Sequence, residues 1–100
     1  MSNEAWLRCD VSPGMFDFEL GVDGRQFDGT VYSLFAPKET VDHDQPLSRE
    51  HIVPGWVRVK AWERKDNLVL VELPRETFQN GAFITVTEDQ LETRPQRQQA

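Results

Sequence analysis

One cysteine, Cys9, stands among the 100 residues. A lone cysteine excludes a disulfide within the chain, so nothing argues for an oxidising compartment. No stretch approaches the roughly 20 apolar residues needed to span a bilayer. The first ten residues, MSNEAWLRCD, have neither a basic cluster nor an apolar run, so no signal peptide is expected. These absences point to a cytoplasmic protein. Also missing are a glycine-rich phosphate loop, a CxxC pair and a serine-centred elbow, and the acidic residues are scattered. No enzyme, cofactor or metal centre is expected on these grounds.

Helical periodicity is missing as well. Apolar residues recur at every second position nearly throughout, the pattern of half-buried strands. WLRCDV alternates Leu7, Cys9 and Val11 against Trp6, Arg8 and Asp10. FDFELGV sets Phe16, Phe18, Leu20 and Val22 on one face, all four expected in the core. Pro13-Gly14 and Asp23-Gly24-Arg25 punctuate these runs as turns. In TVYSLFAP both parities are apolar, which predicts a central or bent strand ended by Pro37. WVRVKAWERKDNLVLVELP reads as a hairpin turning at residues 64–67, and AFITVT after Asn80-Gly81 as a last strand. EDQL is expected to make one short helical turn. Gly21 and Gly29, inside strand patterns, suggest bulges or bends.

Six short strands in one domain over residues 1–92 predict an all-β, antiparallel small barrel, since closure removes exposed edges. An SH3-like barrel is preferred over an OB-like one because the strands are few and one long excursion comes early. That excursion is residues 37–54, a long loop with three of the six prolines. The polar, glutamine-rich residues 93–100 are expected to be a disordered tail.

The net charge is −6, which works against non-specific binding to nucleic acid or anionic membranes. Residues 55–74 depart from it, with four basic residues against three acidic ones. There the segment GWVRVKAW places Trp56, Arg58, Lys60 and Trp62 on one strand face. Indoles flanked by cations suit a ligand: a protein or peptide segment, or single-stranded nucleic acid stacked on the two tryptophans. The plainer reading folds each Trp over an open end of the core while Arg58 and Lys60 lay their stems on the sheet. A protein-segment module is the preferred function, and Trp6 or Tyr32 is the expected neighbour if the patch is to be large. Asp42, His43, Asp44, Glu50 and His51 share residue types with metal sites, but their spacing fits a solvated loop better. Cys9 reads as a small buried hydrophobe rather than a nucleophile served by His43 or His51.

Overall fold

The computed structural model describes residues 3–79 and 81–93. Eight antiparallel strands follow one another: β1 (Glu4–Pro13), β2 (Glu19–Arg25), β3 (Val31–Pro37), β4 (Val41–His43), β5 (Val53–Lys65), β6 (Leu68–Glu72), β7 (Phe83–Thr87) and β8 (Leu91–Glu92). Two single-turn 3-10 helices, Lys38–Thr40 and Glu88–Gln90, join β3 to β4 and β7 to β8. The main sheet runs in the order β3-β2-β1-β5-β6-β7 and curls into a half-barrel, with β4 added to β5 and β8 to β1. Alternation does the folding. Leu7, Val22, Leu34, Val57, Val59, Val69, Val71 and Val86 point inward and are buried, each worth about 2 kcal/mol on leaving water.

The register discloses a twofold organisation. β1 pairs with β5 so that Trp6 faces Arg58 and Arg8 faces Trp56, with Leu7 opposite Val57 between them. Shifting every residue number by fifty exchanges the first two pairs and returns the third to itself. The same shift turns the β8 pairs, Trp6 with Glu92 and Leu7 with Leu91, into the β4 pairs, Trp56 with Asp42 and Val57 with Val41. Each half is therefore a three-stranded meander, a 3-10 turn and a short strand, and that short strand joins the other half's long one. Small bonds repeat too: Lys38 N donates to Phe18 O, and Glu88 N to Asn67 O, both at 3.0 Å. A pseudo-dyad passes through the Leu7–Val57 pair.

The ends of the sheet are closed by one device used twice. Phe27 N donates to Thr85 O while Thr85 N donates to the Gln26 carboxamide oxygen. On the opposite edge, Phe78 N donates to Ser33 O while Ser33 N donates to the Gln79 carboxamide oxygen. A backbone N–H and a glutamine side chain thus occupy what the next strand would take, which blocks edge-to-edge pairing.

Several expectations change. Phe16 and Phe18 are 57% and 59% exposed, not core residues. The last β1–β2 pair is Pro13 with Leu20, so residues 14–18 project past the sheet's end, where nothing covers them; parity alone does not bury a side chain. β3 ends the main sheet path instead of lying centrally, and its half-buried Phe35 meets Phe78 edge-on at 5.3 Å. Residues 37–54 are not one long loop. They hold a 3-10 turn, β4 and a Ser48–His51 bridge, with Val41 and Leu47 packed on a small cluster of Val11, Leu20 and Val53. Gly55 lets β4 lie close, since a Cβ there would stand 2.6 Å from Asp42 O. The bulge falls between Ala61 and Glu63; Gly21 pairs regularly with Ser12 and Phe35, whereas Gly29 does mark a bend, at a φ of 87°. EDQL does make its short turn. The tail expected at 93–100 lies, but for Thr93, outside the described residues, as does Asn80 of the Asn80-Gly81 turn.

Candidate functional site

β5 sets Trp56, Arg58 and Lys60 on the outer face because Val57, Val59 and Ala61 take the inner one. Trp62 shares their parity and lies outward as well, 50% exposed, at the bulge between Ala61 and Glu63. Trp56 is half-buried, and six residues of strand, about 20 Å, separate the two indoles. The four residues therefore divide into two groups.

Around the pseudo-dyad, Trp56 lies opposite Arg8 on β1 and Asp42 on β4, and Arg58 lies opposite Trp6. Two tryptophans and two arginines thus alternate over the middle of the sheet. Arg8 bridges to Glu92 at 3.7 Å and Arg58 to Glu4 at 3.9 Å, both loose and half-exposed pairs that contribute little stability. Neither Trp6 nor Tyr32 lies beside Trp62: Trp6 belongs to the dyad group and Tyr32 is buried in the core.

The second group forms a row across four strands. Glu4 faces Lys60, Lys60 faces Glu72, and Glu72 faces Phe83. Trp62 lies over this row. Its Nε1 donates to Glu72 Oε1 at 3.0 Å, the Lys60 ammonium stands 4.6 Å from its ring centre, and Phe83, also half-exposed, lies at 6.5 Å. A ring held at its nitrogen and over one face loses little rotamer freedom when something stacks on the rest. Two concavities flank it. One of about 450 Å³ is lined by Thr40, Arg58, Lys60, Glu72, Leu73 and Pro74 among others, and one of about 350 Å³ by Asn3, Glu4, Trp62 and Arg64 with their neighbours.

Phe83 and Glu72 escaped the sequence reading of the site. Phe83 carried a signal, because it shares parity with Thr85 and Thr87 on the outer side of β7 while Ile84 and Val86 fill the core.

The other candidates fare differently. Burial pushes the Cys9 thiol well above its ordinary range, with Asp10 and Asp23 adding repulsion, so the thiolate a nucleophile needs is disfavoured. Asp42, His43, Asp44 and His51 do not converge: among the described residues no three metal-ligating side chains gather, and the His43 ring pairs with Gln45 O at 2.8 Å. No helix among the described residues is long and apolar enough to cross a membrane.

No family model, curated protein or solved structure matches the chain.

Proposed function

We propose that the protein is a non-catalytic interaction module, which binds an extended protein segment over the outer face of β5 with Trp62 as anchor. The observation that carries this reading is the fixed, half-exposed indole: Glu72 holds its nitrogen, Lys60 covers part of one face, and Phe83 widens the apolar ground beside it. Such a platform resembles the aromatic anchors that dominate binding energy at protein interfaces. Strand addition at the ends of the main sheet is disfavoured as the binding mode, because glutamine side chains already occupy both edges.

A single strand of nucleic acid is the rival occupant. Glu4 and Glu72 flank Lys60 within the row, and phosphates laid along it would meet carboxylates at every second step. In fold family we prefer the SH3-like arrangement, on the support of β8 returning to β1 after a 3-10 turn. We place the protein in the cytoplasm on the support of its single, unpaired cysteine.

The test is titration of the 15N-labelled protein with acidic, basic and proline-rich peptides and with an oligonucleotide. The Trp62 indole N–H signal is expected to move with a peptide class and Trp62→Ala to weaken that binding about tenfold or more. An indole signal unmoved by every peptide class defeats the reading. Movement with the oligonucleotide alone, weakening steeply with salt, transfers the site to the rival.

A further inference from the structure

We infer that the connection between β1 and β2 is a docking knob for a basic amphipathic helix of another protein. It sits at the end of the sheet where β5 starts, about 30 Å of strand from Trp62, and does not rest on the reading above.

The two halves differ most at this connection. The last β5–β6 pair is Lys65 with Leu68, so two residues turn that hairpin. The last β1–β2 pair is Pro13 with Leu20, and six residues fill the same role. The fold needs only two.

The added length is not slack. Gly14 lies so close to Glu19 that a Cβ would stand 2.5 Å from the Glu19 carbonyl oxygen. Glu19 is buried, and its Oε2 accepts from Met15 N at 3.3 Å. Glu19 N donates to Phe16 O at 3.3 Å, and Lys38 N donates to Phe18 O at 3.0 Å. A carboxylate taken from water and two backbone bonds thus fix a connection whose Met15, Phe16 and Phe18 side chains stand in solvent. Burying that carboxylate costs free energy, and the exposed side chains return none of it within the chain. Rings fixed before contact lose little freedom on binding, which is how interface anchors gain affinity.

Charge and spacing select the occupant. Glu19 pairs with Pro37 and Val53 with Val11, so the turn after β3 and the segment before β5 leave from this same end. Residues 14–19, 38–39 and 44–52 hold five carboxylates against two basic side chains, half of the chain's net charge of −6. An anionic lipid surface would meet like charge there, and so would a second copy docked end to end. A helix needs no sheet edge, and glutamines already occupy both ends of the main sheet. The Phe16 and Phe18 ring centres stand 5.4 Å apart, which matches the pitch of an α-helix, about 5.4 Å. One ring therefore fits each of two successive gaps along an apolar stripe. Lysine or arginine beside that stripe would meet the exposed Asp17 and Glu39.

Two peptides of about 18 residues, five turns of helix, test the inference on the full chain. Both carry the same leucine stripe, one with lysine and one with glutamate on its polar face. In 15N NMR titration the lysine peptide is expected to shift the Met15, Phe16 and Phe18 amide signals and to bind about tenfold more tightly than the glutamate peptide. Phe16→Ser with Phe18→Ser keeps every carboxylate and should still weaken that binding about tenfold, which separates docking from charge alone. Trp62→Ala should leave the response at the knob unchanged. Equal binding of the two peptides, unmoved signals at the connection, full binding by the double serine variant, or a response lost in Trp62→Ala overturns the inference. So does either rival occupant, each recognised by silence toward the lysine peptide and by loss in the double serine variant. Binding to phosphatidylcholine vesicles assigns the knob to a membrane, and concentration-dependent sedimentation assigns it to a second copy.

Discussion

Residues 4–43 and 53–92 follow the same path through space, yet they have parted at their cores and at their loops. In the first half Tyr32 packs over Gly24, where a Cβ would lie 2.4 Å from the phenolic oxygen. In the second half the same two places hold Ala82 and Leu73, so bulk has crossed from one strand to its neighbour. Cys9 in one half corresponds to Val59 in the other. The β1–β2 connection carries Met15, Phe16 and Phe18 into solvent, whereas β5 turns into β6 through Asp66 and Asn67, with Asp66 at a φ of 57°. The barrel tolerates such exchanges because total volume and alternation are kept. Divergence at the loops, over a shared scaffold, is where specificity of function is expected to reside.

The largest effects are expected where the halves still agree. Leu34 and Ile84 occupy equivalent buried positions, so Leu34→Ala and Ile84→Ala should each cost about 3 kcal/mol in urea unfolding, alike within about 1 kcal/mol. Leu7→Ala, at the dyad itself, should cost at least as much, because the contact it loses is shared by both halves. A Leu34 variant several times costlier than its mate would show that one half carries the stability.

Removing the edge devices separately is a finer probe. Gln26→Ala and Gln79→Ala should each lose about 1 kcal/mol, the worth of a side-chain bond to a strand N–H. Each should also raise self-association measured by light scattering, since an opened strand edge is a template. Association from one variant alone would mean that the exposed Phe27 and Phe78 guard their edges unequally.

Alkaline pH distinguishes the halves by chemistry. Burial raises the Tyr32 phenol well above its ordinary range, with Cys9, Asp10 and Asp23 adding to it, and burial likewise raises the Cys9 thiol. The unfolded chain releases these protons near their ordinary values, about 8.5 for the thiol and about 10 for the phenol, while the folded chain keeps them. Above those values the unfolded state binds fewer protons, so stability is fully present below about pH 8 and falls as pH rises. Their counterparts, Val59 and Ala82, do not titrate, which confines the effect to the first half. The Tyr32 hydroxyl makes no hydrogen bond among the described residues although it is buried. Tyr32→Phe should therefore gain about 1 kcal/mol at pH 7 and flatten the fall above about pH 10. An unchanged alkaline limb would place the titrating group elsewhere.

Much of this architecture was legible from alternation. Leu7, Val11, Val57, Val59, Val69 and Val71 fill the core as their parity requires, because a strand gives its side chains only two directions. The dyad was harder to see. AWLRCDV and GWVRVKA share Trp and Arg two residues apart at a spacing of fifty, but the surrounding residues keep hydrophobicity and not identity. The site divided for a reason of length: Trp56 and Trp62 share a face, but six residues of strand, about 20 Å, separate them. Pairing partners such as Phe83 and Glu72 depend on register, which long-range packing decides.

The smallest effect is expected at the feature that departed most from the alternating pattern. Phe16 and Phe18 stack face to face, 5.4 Å apart and nearly parallel, on a connection beyond the last β1–β2 pair. They look like core residues in the sequence, and a core phenylalanine changed to alanine costs about 3–5 kcal/mol. Exposed as they are, they gain little from burial, and the contact between the rings is the main thing to lose. Phe16→Ser with Phe18→Ser should therefore change stability by no more than about 1 kcal/mol, comparable to the worth of one aromatic pair. The matching turn at Asp66-Asn67 supplies the control, since it closes its hairpin with no aromatic at all. A loss of 3 kcal/mol or more in urea unfolding would mean that the two rings are covered in solution, and that the first half reaches further than its strands do.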